Sequence, residues 1–334
     1  MAVHTVGDET VDGLLARAGI GPGQVVSRAV LTGGTYNALH RVDLADGTEL
    51  VLKVPPPAGN PRLRYEAELL HGEALFHRSA GDAGVPAPRV VHAEWSESAE
   101  AAPFLLMTRV PGVSWADSAA AMAAGERDRL REELGVLVGR LHAVRGPAFG
   151  YPAQSVAPMG DRWAPAFAAM TGAVLDDAAA FGSWLPRPAG AIRAALAEGA
   201  AALDEVAEPA LVHFDLWPGN ILLDGPQGAR TIGGLIDGER MFWGDPLADF
   251  ASLSLLLGDA EDDPAFLAGY GSAGGTTFFD AAARVRLALY RSYLYLIMLT
   301  EVVPRRTEGE HLAWVRDFTA PRLTAALDTV TAGG

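Results

Sequence analysis

Apolar positions in the first hundred residues alternate with polar ones at the two-residue period of strands, and further along they recur at the longer period of helices. Gln24 to Thr32 reads as a strand broken at Gly33-Gly34, and Asn37 to Leu44 as the next. Ala45-Asp46-Gly47-Thr48 supplies a hairpin turn into Glu49-Leu50-Val51-Leu52-Lys53-Val54, which stops at Pro55. From Pro61 to Ala80 the pattern is helical, ending before Gly81-Asp82-Ala83-Gly84. Phe104-Leu105-Leu106-Met107 is a buried-strand run. Arg127 to Val144 then carries Leu130, Leu134, Leu137, Val138 and Leu141 at helical spacing, with His142 near its end as a structural or capping residue. Ser155 to Glu208 is mostly Ala-rich helix. After Phe278 the chain reads as helical nearly to its end, with Leu287, Leu289, Tyr290, Tyr293 and Leu294 as core. The pattern predicts an α+β, bilobal chain, β-rich over 1–107 and mainly helical over 108–334.

Two polar segments interrupt apolar surroundings. One is Leu211-Val212-His213-Phe214-Asp215-Leu216-Trp217-Pro218-Gly219-Asn220-Ile221-Leu222-Leu223; the other is Leu235-Ile236-Asp237-Gly238-Glu239. Each places a carboxylate at the mouth of a strand, and the first adds an amide a few residues later. Phosphoryl transfer from ATP needs one carboxylate to orient or deprotonate the attacking hydroxyl, while an Asn and a second Asp hold metal ions. Asp215, Asn220 and Asp237 occur in that order, with the Asp-to-Asn spacing of a kinase catalytic loop. Either segment alone is also what an ordinary turn looks like; the ordered pair between strands points to catalysis.

Only one of the 26 cationic side chains is a lysine, Lys53. Arg serves wherever a surface cation suffices, so a compact ammonium on an apolar strand stands out. Kinases place their phosphate-binding lysine on such a strand. Gly33-Gly34 is open to two readings: a hairpin, or a loop whose backbone amides approach phosphates.

Composition narrows the classes. The chain of 334 residues is long enough for two lobes with cores of their own. Without a cysteine it has no disulfide, thiolate metal site or thiol nucleophile. No Gly-Lys-Ser/Thr occurs, which excludes a P-loop. Met1 to Asp8 lacks a signal-peptide pattern and no apolar stretch is long enough to span a bilayer, so a cytoplasmic protein is expected. A net charge of −15 disfavours nucleic acid as a partner and gives a slight electrostatic lean towards a cationic substrate.

At the first polar segment, and at Ile236-Asp237 followed by Gly244-Asp245-Pro246-Leu247-Ala248-Asp249-Phe250, the chain resembles the aminoglycoside phosphotransferase-like kinases, small-molecule kinases of protein-kinase fold. The resemblance spans roughly Val25 to Phe250. It implies ATP and Mg²⁺ as cofactors, with Asp215 catalytic and Asn220 and Asp237 as metal ligands. It also implies that Lys53 holds the α/β-phosphates, aimed by Glu73, with Glu66 in reserve, and that Thr108 to Val110 holds adenine through its backbone. Asp245 and Asp249 would brace the metal-loop segment; Trp163, Asp176 and Asp177 fall in the region that helps form the acceptor pocket, where core packing for the Trp and solvation for the Asp pair are favoured over lining. The family usually has Gly where this chain has Phe214, a departure expected to alter the loop backbone or narrow access to the base.

The expected partner is a small-molecule hydroxyl acceptor, an amine-bearing antibiotic or metabolite, met by a monomer or homodimer. Sugar and ketoamine kinases are the runner-up, and a nucleotide-binding pseudokinase the third reading. The C-terminal segment Asp328 to Gly334 carries one acid, where several family members set acidic residues against an aminoglycoside's amines. Trp217, Phe242 and Trp243 either offer the acceptor an apolar, ring-bearing face or serve equally as packing. A protein kinase is disfavoured, since Asp237-Gly238-Glu239 replaces Asp-Phe-Gly and no Ala-Pro-Glu follows.

Overall fold

The structure, a computed structural model, describes residues 4–31, 36–95, 102–256 and 258–333. Helix α1 (Asp8–Arg17) leads into strands β1 (Val25–Val30), β2 (Ala38–Leu44) and β3 (Glu49–Val54). The turn between β2 and β3 is the expected one: Gly47 adopts φ 87°, and Asp46 Oδ1 accepts the N–H of Thr48 at 2.9 Å. After helix α2 (Leu69–Asp82), strands β4 (Val90–Glu94) and β5 (Phe104–Thr108) complete an antiparallel sheet of order β1-β2-β3-β5-β4.

The two-residue period sorts this sheet's faces. Leu50, Leu52, Val54, Phe104 and Leu106 pack with Val11, Leu14 and Leu15 of α1. Val51, Leu105 and Met107 pack with Leu70 and Ala74 of α2. Lys53 shares the parity of Val51, so its side chain falls on the α2 face.

Helix α2 starts at Leu69, later than the sequence pattern predicts. Glu68 takes φ 57°, and the stretch before it is a separate strap with one tight turn, Arg64–Glu66. Pro55, Pro56, Pro57 and Pro61 restrict that strap's backbone and withhold donors. Its Leu63 and Tyr65 are buried in the core of the large lobe, and the Arg64 N–H donates to Asp177 Oδ2 at 2.8 Å. Hydrophobic anchors, rather than helical periodicity, fix this segment.

The large lobe begins with β6 (Val113–Ser114), α3 (Trp115–Ser118) and α4 (Ala124–Ala143), followed by α5 (Trp163–Phe181) and α6 (Ala189–Glu198). Next come β7 (Ala210–Val212), β8 (Ile221–Asp224), β9 (Thr231–Leu235), β10 (Phe242–Gly244) and α7 (Ala248–Leu253). Helices α8 (Pro264–Ser272), α9 (Ala281–Glu301) and α10 (Gly309–Gly333) complete it. Strands β7 and β10 pair antiparallel, as do β8 and β9, so each polar segment is held at the end of a short ladder. Among the described residues no helix is long and apolar enough to cross a membrane.

Candidate active site

The Lys53 ammonium is buried, 3% exposed, and faces three carboxylates. Glu73 Oε2 of α2 lies at 2.8 Å, Asp237 Oδ1 at 2.5 Å and Glu239 Oε2 at 2.7 Å. Burial works against the ammonium, but the three acids outweigh it and hold Lys53 well above its usual range. Glu73 is therefore the helix acid that meets Lys53. Glu66 points elsewhere, pairing with Arg305 at 2.7 Å and accepting the Leu63 N–H. Glu239, the third acid, also accepts from Asn37 Nδ2 at 2.8 Å. Burial pushes its carboxyl up to about 7, with Asp237 and Glu73 adding repulsion against the pull of Lys53. For half-buried Asp237, burial raises the carboxyl, but Lys53 overcomes this and the net shift is downward.

The loop from His213 to Asn220 is built on backbone contacts. His213 Nε2 donates to the Ile236 carbonyl at 3.0 Å, and its Nδ1 accepts the Asp215 N–H at 3.2 Å. That pair of contacts requires the neutral Nε2–H tautomer, and burial lowers the imidazole's pKa in the same sense. His213 thus ties the two polar segments together. Asn220 makes a second tie: its carbonyl accepts from Ile236 N at 3.0 Å. Its Nδ2 donates to the Asp215 carbonyl at 2.9 Å and to Asp215 Oδ2 at 3.3 Å. Burial raises Asp215, with Arg240 opposing and Asp237 adding to the rise.

Phe214 departs from the expectation set by the family's Gly. Its φ is 61°, the left-handed region glycine favours, so the loop backbone is kept despite the bulky side chain. The ring is fully buried against Phe242 (5.0 Å) and Tyr293 (5.4 Å), and it does not narrow access to Asp215. Phe242 and Trp243 are likewise buried packing, which removes them as acceptor faces; Trp217 is half-buried. Trp163 is core too, its Nε1 donating to Tyr290 Oη at 2.8 Å. Asp176 is exposed and pairs with Arg64 and Arg193, while Asp177 is buried and holds the strap.

Asp249 is buried and accepts N–H groups from His213 (3.1 Å) and Phe214 (2.6 Å), and it meets His142 Nε2 at 3.0 Å. It braces the loop of Asp215 rather than that of Asp237, and His142 is the structural residue expected. Asp245 accepts from Leu247 N at 3.0 Å and Tyr290 Oη at 2.7 Å.

At the end of β5 the Thr108 N–H is spent on the Arg89 carbonyl (2.9 Å), and the Arg109 N–H on that of Glu49 (2.9 Å). Val110 is the residue there whose N–H carries no hydrogen bond among the described residues. Gly33 and Gly34 lie outside the described residues.

Sequence reasoning missed Arg240. Its Nε lies 3.6 Å from Asp215 Oδ2, and its Nη2 donates to Glu301 at 3.1 Å. No local spacing could reveal it, because its partners lie in another loop and 61 residues downstream.

A lysine gripped by a helix acid, opposite a loop joining an Asp to an Asn, is the layout of a protein-kinase-like phosphotransferase. The model of the phosphotransferase enzyme family matches residues 28–290, and the chain belongs to that family. It is accordingly a small-molecule kinase, drawing its phosphoryl group from a nucleotide. No curated protein matches it.

Solved structures agree in fold. A protein assigned as a fructosamine-3-kinase from Thermobifida fusca is 22% identical, with 98% of this chain and 99% of that one covered and a TM-score of 0.66. The ternary complex of APH(2'')-IIa with streptomycin and ATP is 16% identical, covering 98% and 99%, with a TM-score of 0.60. Macrolide 2'-phosphotransferase MphH from Brachybacterium faecium is 18% identical, covering 94% and 97%, with a TM-score of 0.53.

Proposed function

We propose that the protein transfers the γ-phosphoryl group of ATP to a hydroxyl of a small molecule, with residues 1–107 holding the nucleotide and 108–334 the acceptor. The observation that carries this reading is the joining of Lys53, Glu73 and Asp237 in one cluster beside the Asp215–Asn220 loop. Asp215 orients the acceptor hydroxyl and takes its proton late. The hydroxyl oxygen bonds to the γ-phosphorus as the bond to the bridging oxygen breaks, and ADP leaves. Glu73 keeps the Lys53 ammonium aimed at the α/β-phosphates, and the free Val110 N–H is available to adenine.

Asn220 and Asp237 fit Mg²⁺, which takes oxygen ligands. The amide nitrogen of Asn220 is committed to Asp215, which leaves its amide oxygen without a partner among the described residues. Asp237 spends Oδ1 on Lys53 and is 39% exposed. The metal supplies charge neutralisation on the phosphates.

For the acceptor we favour a hydroxylated, amine-bearing antibiotic or metabolite, because the chain carries a net charge of −15, which steers cations towards it. A sugar or ketoamine is the second reading, favoured by the Arg240 guanidinium beside the base, which repels a polycation. We place the reaction in the cytoplasm, where ATP is available. A screen for Mg-ATP-dependent phosphorylation of aminoglycosides, macrolides, amino sugars, ketoamines, choline-like amines and neutral sugars tests the assignment. Turnover of a hydroxylated amine supports it, turnover of neutral sugars alone removes the cationic preference, and turnover of none refutes it.

A further inference from the structure

A run of alternating charges leads from Asp215 to the strap. Arg240 lies between Asp215 Oδ2 (3.6 Å from Nε) and Glu301 Oε2 (3.1 Å from Nη2). The same Glu301 oxygen meets Arg305 Nη2 at 3.0 Å. That nitrogen also reaches Glu66 Oε1 at 2.7 Å, and the other Glu66 oxygen accepts the Leu63 N–H at 2.7 Å. Arg305 lies over the Tyr36 ring as well, 5.7 Å from its centroid. Arg240, Glu301 and Arg305 are each less than 15% exposed, and Glu66 is buried.

Stability is a weak reason for such a run, since well-packed apolar groups often replace buried ion pairs without loss. Orientation is a stronger one. Both Arg240 and Asn220 approach the same oxygen of Asp215, Oδ2. Oδ1 has no partner among the described residues. Holding one oxygen from two sides turns the other towards whatever enters the cleft.

We propose that Arg240 is a positioning residue for Asp215, kept in place by Glu301, Arg305 and the strap's Glu66; this rests on the phosphotransfer reading above. The strap leaves β3 one residue after Lys53 and enters α2, which carries Glu73. One segment therefore joins the lysine strand to the far end of the charge run. The placement of Asp215 is thereby linked to the seat of the small lobe on the large one.

The two arginines use their nitrogens differently, and this gives a test. Arg240 spans its carboxylates with two nitrogens, Nε and Nη2, whereas Arg305 meets both of its acids with one. A lysine can stand in for the second and not for the first. ADP release from Mg-ATP, with water and with the best acceptor of the screen, is followed together with ATP affinity by calorimetry. Arg240→Lys is expected to lower kcat about 10- to 100-fold, the scale of a misplaced catalytic group, with ATP affinity unchanged within about twofold. Arg305→Met lowers kcat about 3- to 10-fold, and Arg305→Lys recovers most of that loss. Combining Arg240→Lys with Arg305→Met costs no more than Arg240→Lys alone, because both act through one chain of contacts. Arg187→Met, which removes a surface pair with Asp328, is the control. Wild-type kcat in Arg240→Lys, additive losses in the double variant, or equal loss in Arg305→Lys and Arg305→Met each overturns the proposal. A wild-type protein that releases no ADP overturns the phosphotransfer reading, and this proposal with it.

Discussion

Asp249 of α7 accepts the backbone N–H of Phe214 at 2.6 Å, and Phe214 stands at φ 61°. A bulky residue in the left-handed region is strained by about 1–2 kcal/mol, so something must hold it there. The Asp249 carboxylate, also bonded to His213 N, pulls the backbone into that turn, while Phe242 and Tyr293 seat the ring.

Phe214→Gly weighs these two effects against each other. Relief of strain gains about 1–2 kcal/mol, whereas emptying a fully buried aromatic site costs about 3–5 kcal/mol. The variant is expected to be less stable by about 2 kcal/mol in urea denaturation while keeping its turnover per folded molecule. A gain in stability would mean that the backbone, and not packing, decides this position.

Lys53→Arg should impair turnover even though charge is kept. A guanidinium is larger than the slot among Glu73, Asp237 and Glu239, and it distributes its donors over a plane. Lys53→Met removes the cation that, among the described residues, pairs with all three acids, and breaking a buried ion pair costs about 3–5 kcal/mol. Steady-state kinetics of the first and thermal denaturation of the second check these outcomes. Wild-type turnover in Lys53→Arg would detach Lys53 from the nucleotide.

Glu239 gives stability a pH signature. Burial pushes its carboxyl up to about 7 in the folded protein, above the ordinary 4.5 of a glutamate, so the folded state binds the proton more tightly. The contribution is favourable below about 4.5 and is lost as pH rises towards 7. Glu239→Gln, which carries no proton to lose, should therefore melt higher than wild type at pH 8, with the gain shrinking towards pH 4.5. Parallel melting curves for the two proteins across that window would show that Glu239 does not titrate there.

The site's anchors were legible because they are written locally. Lys53 is the one lysine, on an alternating strand whose parity puts it on the α2 face, and Asp215 and Asn220 share a short loop. Long-range groups were hidden. Arg240 meets Glu301 across 61 residues and Arg305 meets Glu66 across 239, distances no periodicity spans. The strap misled as well, since the pattern over Pro61 to Glu68 looks helical while Leu63 and Tyr65 are drawn into the other lobe's core. Phe242 and Trp243 fall near the site in sequence yet pack inward, because β10 pairs with β7 inside the core.

The central claim is that Asp215 acts on the acceptor and not on the nucleotide. Asp215→Asn keeps the size of the side chain and removes its basicity. Turnover of the screened acceptor should fall about 10²- to 10⁴-fold, the scale of general-base catalysis, while calorimetry finds ATP affinity nearly unchanged. Turnover at the wild-type rate, or a large loss of ATP binding, would contradict the account.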